Sequence, residues 1–497
     1  MKHSRRKALW SLVAMLIAIS MVLSACATPT PQVVEKVVEK VVTQVVEKQV
    51  EKPVEVVKEV VQTVTVEKEV QVVATPTPAP VTAESGPVLK PEVTGNVELW
   101  HWWASPVRRN AIRRIIAMCE QKLPNIKVAD TVKPFGDVWT ANIAAVAAGS
   151  GMPDVIVSDR PTLPKDAADG VYQNLQEWAT RDNVTRDQFY GWAWDQSLYE
   201  GDTYGVPFET DVRVLFWNKQ AFKEAGLDPE KPPATWAELE EYADKLDKKN
   251  ADGTYSRIAF VPHWNGSLNP FWAYNNGAPL IKSDGTPFLN DPKAVEAMEW
   301  MKKWVDRYGG WQALQTYKAS FGAPPNDLFM SSGVAMLVDI FGYNSQLEFY
   351  RPQVTNADGS KSRMEWGIGM LPHNEGAEPA NWSGGFSLSI PTGAKNAEAA
   401  WEFIKCMSSA EGQSSWARDT QDQPPHVQAA RDPVVVANPL WKVVDQALSV
   451  STGGVFVPKY SNWGEQIQQR EEKVWLGELT PQQALDEAQA AVEAALK

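Results

Sequence analysis

The residues of this chain best suited to chemistry are tryptophans and charged side chains placed just beyond apolar, strand-like runs. Trp102, Trp103 and Ser105 follow the run that starts at Val97, and Ser158, Asp159 and Arg160 follow Pro153-Asp154-Val155-Ile156-Val157. An indole has a broad, rigid apolar face and one N–H donor, so it stacks on planar or sugar-like ligands as well as filling cores. Carboxylates and guanidinium groups make short, charge-assisted hydrogen bonds that suit hydroxyls held in fixed positions. Strand alternation sends Trp102 and Trp103 to opposite sides, one toward a cleft and one into packing. Asp159-Arg160 reads either as a pair gripping hydroxyls or as a surface ion pair. Trp264, in His263-Trp264-Asn265, and Trp272, after Phe271, fall in a stretch rich in Asn, Gly and Pro, where clustered aromatics favour binding. Trp382 stands before Gly384-Gly385, glycines that either let a backbone approach a ligand closely or make a tight turn. Tyr460 and Trp463 are further contributors from the last loop.

Elements that could position these residues alternate between extended and helical patterns, which implies an α/β class. Val97 to Trp102 reads as a first strand and Arg108 to Gln121 as the helix after it. Pro153 to Val157 is a second strand, and Tyr204 to Trp217 one long extended stretch. Gly333 to Val338 is a strand candidate, and a helix spans about Asn396 to Cys406. Thr235 and Glu238 predict a capping box ahead of Leu239 to Leu246, and Thr480-Pro481 opens a final Ala-rich helix. In open α/β sheets ligands bind beyond the carboxyl ends of strands, which selects the residues named above.

Composition narrows the partners. The formal net charge of −13 argues against a nucleic-acid partner, which calls for a basic patch. Five histidines and three cysteines show no metal-ligand spacing, and no phosphate-cradling or cofactor motif is present, so no metal and no cofactor are expected. Cys119 and Cys406 each fall in an amphipathic pattern, and from sequence alone they are either a disulfide or two buried thiols.

At the N-terminus, Lys2, Arg5, Arg6 and Lys7 precede an apolar run from Ala8 to Leu23, a leader pattern rather than a membrane span. Leu23-Ser24-Ala25-Cys26 resembles the lipobox of bacterial lipoproteins. That resemblance implies removal of residues 1–25, acyl chains (palmitate among them) on Cys26, and a protein held outside the cytoplasm at the cell membrane by lipid. The alternative is an ordinary signal peptide with Cys26 incidental. Residues 26–94 are compositionally separate: Val33-Val34-Glu35-Lys36 and its decaying repeats are followed by Thr75-Pro76-Thr77-Pro78-Ala79-Pro80. A four-residue repeat drifts by about 40° per unit on an α-helix and holds no straight apolar stripe. The segment reads as a stalk, with a partner-binding coiled coil as the rival.

Several stretches, in order, resemble the extracellular solute-binding proteins of ABC importers, in particular the carbohydrate-binding, maltose-binding-protein-like group. They are Gly151-Met152-Pro153-Asp154-Val155-Ile156, Tyr204 to Glu209 with Leu215-Phe216-Trp217-Asn218-Lys219, Ala225 to Leu239, Phe329 to Met336, and Gly384 to Pro391 with Ala399 to Ile404. Trp217 departs from the family's usual tyrosine. The resemblance implies two α/β lobes, 95–208 plus 383–440 and 209–382 plus 441–497, joined by crossing strands with a ligand cleft between them. It further implies a ligand-binding carboxylate at Glu209, and ligand contacts from Asp339, Phe341 and Tyr343 after the Ala335-Met336 strand. Both Cys119 and Cys406 then belong to the first lobe, which favours a bridge.

The implied function is a monomeric, non-enzymatic receptor that closes over a mono- or oligosaccharide and delivers it to a membrane permease. A secreted glycoside hydrolase, which needs two carboxylates at a defined separation, and a lectin-like adhesin are the alternatives.

Overall fold

A computed structural model describes residues 87–264, 269–282, 286–356, 358–452 and 463–496. Cys26, Tyr460 and most of the proposed stalk lie outside the described residues. Strand β1 (Gly95–His101) leads to helix α1 (Pro106–Lys122), which begins where the Ser105 Oγ accepts a hydrogen bond from the Arg108 N–H. Proline occupies the first turn, and Ala111, Ile112, Ile115, Ile116 and Cys119 form the buried face at helical spacing. Strand β2 (Ile126–Val132), helix α2 (Asp137–Ala147) and strand β3 (Val155–Asp159) follow.

The long extended stretch expected over 204–217 is two strands, β4 (Val206–Thr210) and β5 (Arg213–Asn218), separated by Asp211 and Val212. Beyond them come α3 (Trp236–Leu246), α4 (Pro292–Arg307), β6 (Met336–Ile340), α5 (Tyr343–Tyr350), β7 (Trp366–Gly369) and β8 (Gly385–Ser389). The chain finishes with α6 (Ala397–Ser408), α7 (Ala410–Thr420), α8 (Trp463–Trp475) and α9 (Pro481–Ala495).

Two sheets organise these elements. The first has the order β2-β1-β3-β8-β4, with β1 parallel to β2 and β3, and β8 antiparallel to β3 and β4. The second, β6-β5-β7, is antiparallel. Each sheet has its own core. One draws on residues from Val97 to Phe208 and from Leu388 to Trp416; the other runs from Val212 to Leu371 and resumes from Val444 to Val492. The chain passes from the first sheet to the second through Asp211-Val212 and returns through Asn381-Trp382 into β8. It crosses again after α7, where Gln423 bridges Thr210 before the helix Trp441–Ser449 packs on β5. The architecture is a two-lobed α/β fold with three crossings.

Cys119 and Cys406 form a disulfide that ties α1 to α6, with Cα atoms 5.8 Å apart. Next to it lies a buried charge network. Lys405 Nζ sits 2.9 Å from an Asp182 carboxylate oxygen and 2.9 Å from a Glu402 oxygen, and donates to the Val88 carbonyl at 2.6 Å. The Lys90 N–H donates to Glu402, while Leu89 and Val93 pack against the first core. Residues 87–94, assigned to the stalk by composition, are therefore folded onto the first lobe. The expected capping at Thr235 is half realised: its hydroxyl accepts from the Glu238 N–H, but the Glu238 carboxylate accepts from the Ala234 N–H instead of closing the box.

Candidate functional site

At the seam between the lobes a set of charged side chains converges from several elements. Arg108, on the first turn of α1, donates to both oxygens of Asp422, from Nη2 at 2.8 and 2.9 Å and from Nε at 3.2 Å, and stands 3.9 Å from Glu209. Gly342 of the second lobe closes directly on this pair: a Cβ there would lie 2.0 Å from an Asp422 oxygen, so any side chain would have to displace that carboxylate. Beside it, Asn344 donates to Gln421 at 2.7 Å and Gln421 donates to Glu348 at 2.9 Å, a further tie between lobes. Arg213 pairs with Asp211 on the first crossing and donates to the Trp382 carbonyl on the second.

Burial sets the electrostatics. It pushes the carboxyls of Asp159 and Asp339 up to about 7, although Arg160 opposes the first shift, and the Ile340 N–H and Arg213 oppose the second. Glu209 is raised well above the usual carboxylate range by burial and by the Asp422 charge, with Arg108 opposing. Burial also lowers Arg160 to about 10 against the pull of Asp211 and Asp159. For Arg108 burial works against the charge, and Asp422 and Glu209 outweigh it, holding that guanidinium firmly protonated.

An aromatic group adjoins these charges. The cross-strand register places Phe386 beside Asp159 on one side and Glu209 on the other. The half-buried Trp102 ring lies 4.3 Å from Phe386, 5.2 Å from Trp139 and 5.4 Å from Phe135, which is 65% exposed. Trp139 is held by its indole N–H on the Val157 carbonyl at 2.9 Å.

The candidates named from sequence fall into distinct surroundings. Trp102, Asp159, Asp339 and Trp382 are half-buried at the seam, and Glu209, Gly384 and Gly385 are buried beside them. Trp103 packs in the first core at 4.3 Å from Trp416. Trp264, Trp272, Phe341 and Tyr343 lie inside the second core; Trp272 donates to the Pro262 carbonyl and Tyr343 to Asp327. Trp463 is buried in the same core, 6.5 Å from the Trp382 ring. Sequence reasoning missed Arg108, Asp211, Arg213, Asp422 and the aromatic partners Phe135, Trp139 and Phe386. Phe135 alone carried a local signal, an aromatic isolated between Pro134 and Gly136. Among the described residues no cluster of three or more His, Cys, Asp or Glu is placed to hold a metal ion.

With this geometry established, residues 108–414 match the model of the family described as bacterial extracellular solute-binding protein. The chain belongs to that family. It is similar to the sn-glycerol-3-phosphate-binding periplasmic protein UgpB of Shigella dysenteriae serotype 1, 29% identical over 311 residues, covering 58% of this chain and 66% of that protein. The chain thus spans just under two thirds of the length of that curated relative. Among solved structures it is similar to CpMnBP1 with mannotriose bound, at 26% identity and a TM-score of 0.71 over 80% of this chain and 99% of the other. The maltose/maltodextrin-binding domain MalE from Bdellovibrio bacteriovorus, bound to maltotriose, shares the fold at 22% identity and a TM-score of 0.67, over 81% of this chain and 100% of the other. Among the described residues no helix is long and apolar enough to cross a membrane.

Proposed function

We propose that this chain is the solute receptor of an ABC importer and binds a neutral carbohydrate, a mono- or oligosaccharide, between its lobes. The lobes are 87–210 plus 383–440 and 211–382 plus 441–497, since residues 87–94 pack on the first core and Thr210 ends a strand of the first sheet. Ligand with better contacts in the closed form shifts the population toward closure, and the closed complex docks on the membrane permease. Cys26 carries the lipid anchor in this reading, and the chain acts as a monomer without catalysis.

The observation that carries the reading is the charge balance at the seam. Arg108 and Arg213 are already spent on Asp422 and Asp211. Asp159, Asp339 and Glu209, their pKa values raised by burial, hold protons more tightly than exposed carboxylates and supply no positive charge. A phosphate dianion needs surplus positive charge and unspent donors. A sugar needs neutral donors and acceptors next to an apolar face, and Trp102 with Phe386 supplies that face directly beside the carboxyls. The same balance favours sugar over the glycerol phosphate named for the curated relative.

Calorimetry with mannobiose, mannotriose, maltotriose, tagatose and sn-glycerol-3-phosphate tests this. A sugar is expected to bind, and Trp102→Ala to weaken it by about tenfold or more, or 1.4 kcal/mol. Binding of glycerol phosphate alone would refute the carbohydrate assignment. Release of reducing sugar by the purified protein would favour a hydrolase.

A further inference from the structure

Arg160 follows the last residue of β3 and is fully enclosed, yet it points its donors at backbone rather than into a space for ligand. Its Nη1 donates to the Glu209 carbonyl at 3.1 Å, and its Nη2 to the Thr210 hydroxyl at 3.0 Å and to the Gly384 carbonyl. Its guanidinium carbon lies 5.4 Å from the centre of the Trp192 ring, which completes the enclosure. Glu209 and Thr210 end the strand that enters the first crossing, and Gly384 precedes the strand that leaves the second.

The two crossings are also stitched to each other. Thr210 Oγ1 donates to the Gly384 carbonyl at 2.7 Å, Ser383 Oγ donates to the Asp211 carbonyl, and the Gly384 N–H donates to Asp211 Oδ1 at 3.2 Å. Gly385 makes room for the arrangement. Its φ is +143°, and a Cβ there would sit 2.2 Å from Arg160 Nη2 and 2.3 Å from the Glu209 carbonyl oxygen.

We infer that Arg160 is a positioning residue of the hinge. It clamps the first two crossing segments to the first lobe up to Thr210 and Gly384, so bending within those two is confined to Asp211-Val212 and Asn381-Ser383. This rests on the closure reading above, and it assigns Arg160 to the hinge, where the sequence had suggested the ligand. A charged, planar fork suits the task because one side chain serves three acceptors on two strands at once. A hinge is a few residues that absorb the backbone change while their neighbours stay rigid.

The test labels Lys127→Cys in the first lobe and Lys303→Cys in the second, both exposed, and measures interlobe distance distributions by pulsed electron resonance. In ligand-free protein Arg160→Met is expected to broaden the distribution. Gly385→Ala is expected to do the same while keeping Arg160, because it evicts the guanidinium. Arg160→Lys restores one contact and falls between. Sugar affinity falls about tenfold in Arg160→Met and Gly385→Ala alike, since ordering the hinge is then charged to binding.

A ligand-free distribution as narrow as wild type in Arg160→Met would overturn the inference. So would an affinity loss in that variant that Gly385→Ala does not share. Should Arg160→Met fail to fold, the width in Arg160→Lys decides the matter by the same criterion. The ligand-free measurement is independent of sugar identity. A wild-type distribution that does not move on saturation refutes closure instead, and leaves the clamp to be judged on width alone.

Discussion

Lys405 offers a quantitative test of how the first lobe is held. Its side chain has no exposed surface, and neither does that of Glu402, 2.9 Å away; Asp182, also 2.9 Å away, is 4% exposed. Lys405→Met keeps most of the volume and removes the cation. Asp182 retains Arg181 and the Trp401 indole N–H, but Glu402 keeps only the Lys90 N–H among its hydrogen bonds. Breaking a buried pair by removing one partner leaves an uncompensated charge and costs about 3–5 kcal/mol. The expected loss in urea unfolding free energy is therefore about 3–5 kcal/mol. Hydrogen exchange should locate the loss, since the Val88 carbonyl and the Lys90 N–H hold residues 87–94 to this network, and the Lys90 amide should lose protection first. Pairing the change with Glu402→Met should recover more than half of the loss, because an apolar replacement of both partners no longer buries a lone charge. A single variant within about 1 kcal/mol of wild type, or a double variant as unstable as the single, would refute the reasoning.

Replacing Cys119 and Cys406 by serine opens a link between residues 287 apart, and chain entropy predicts a loss of about 2–5 kcal/mol, read as a lower denaturant midpoint than that of the oxidised protein. Glu471, buried and pushed up to about 7 by that burial against the Asn269 N–H, holds its proton more tightly folded than unfolded. Its contribution to stability is thus complete below about pH 4 and is lost as pH rises through 7, so Glu471→Gln should gain on wild type steadily between those limits in paired melts. Labelled palmitate should enter the full-length protein in cells and be absent from Cys26→Ser; equal incorporation in both would remove the lipid anchor.

Local signals carried much of the fold. Thr480-Pro481 started α9 where capping chemistry places it, because a cap needs only its own neighbours, whereas α1 begins at Pro106, two residues ahead of the Arg108 expected. The stretch over 204–217 read as one extended run because β-branched and aromatic residues recur along its whole length. The break at Asp211-Val212 comes from the change of sheet, which no local pattern records. The disulfide stayed open for the same reason: 287 residues separate its ends, and only the packing of α6 on α1 brings them together. Composition placed residues 87–94 in the spacer, and their partners Glu402 and Lys405 lie more than 300 positions away.

The site shows where strand-end reasoning stops. The rule that ligands gather beyond strand ends led to Trp102, Asp159 and Arg160 alike. It holds for the surface beyond a strand but does not register that two crossings run through the same space. Trp102 meets that space one residue past β1 and stays only half-buried among Phe135, Trp139 and Phe386. Arg160 meets it one residue past Asp159 and is swallowed by Glu209, Thr210 and Gly384. Burying a guanidinium is costly unless its donors are satisfied, and three backbone and hydroxyl acceptors take up both terminal nitrogens here, leaving only the buried Nε without a partner. A side chain so committed is poorly suited to exchange its partners each time a solute enters and leaves. The neighbouring carboxyls, Asp159 and Asp339, keep part of their surface open and sit near their titration point, so they can donate or accept as a hydroxyl demands. In the proposed function, recognition and bending are divided between adjacent residues of one strand end, and Gly385, by leaving room for the guanidinium, is what makes that division sterically feasible.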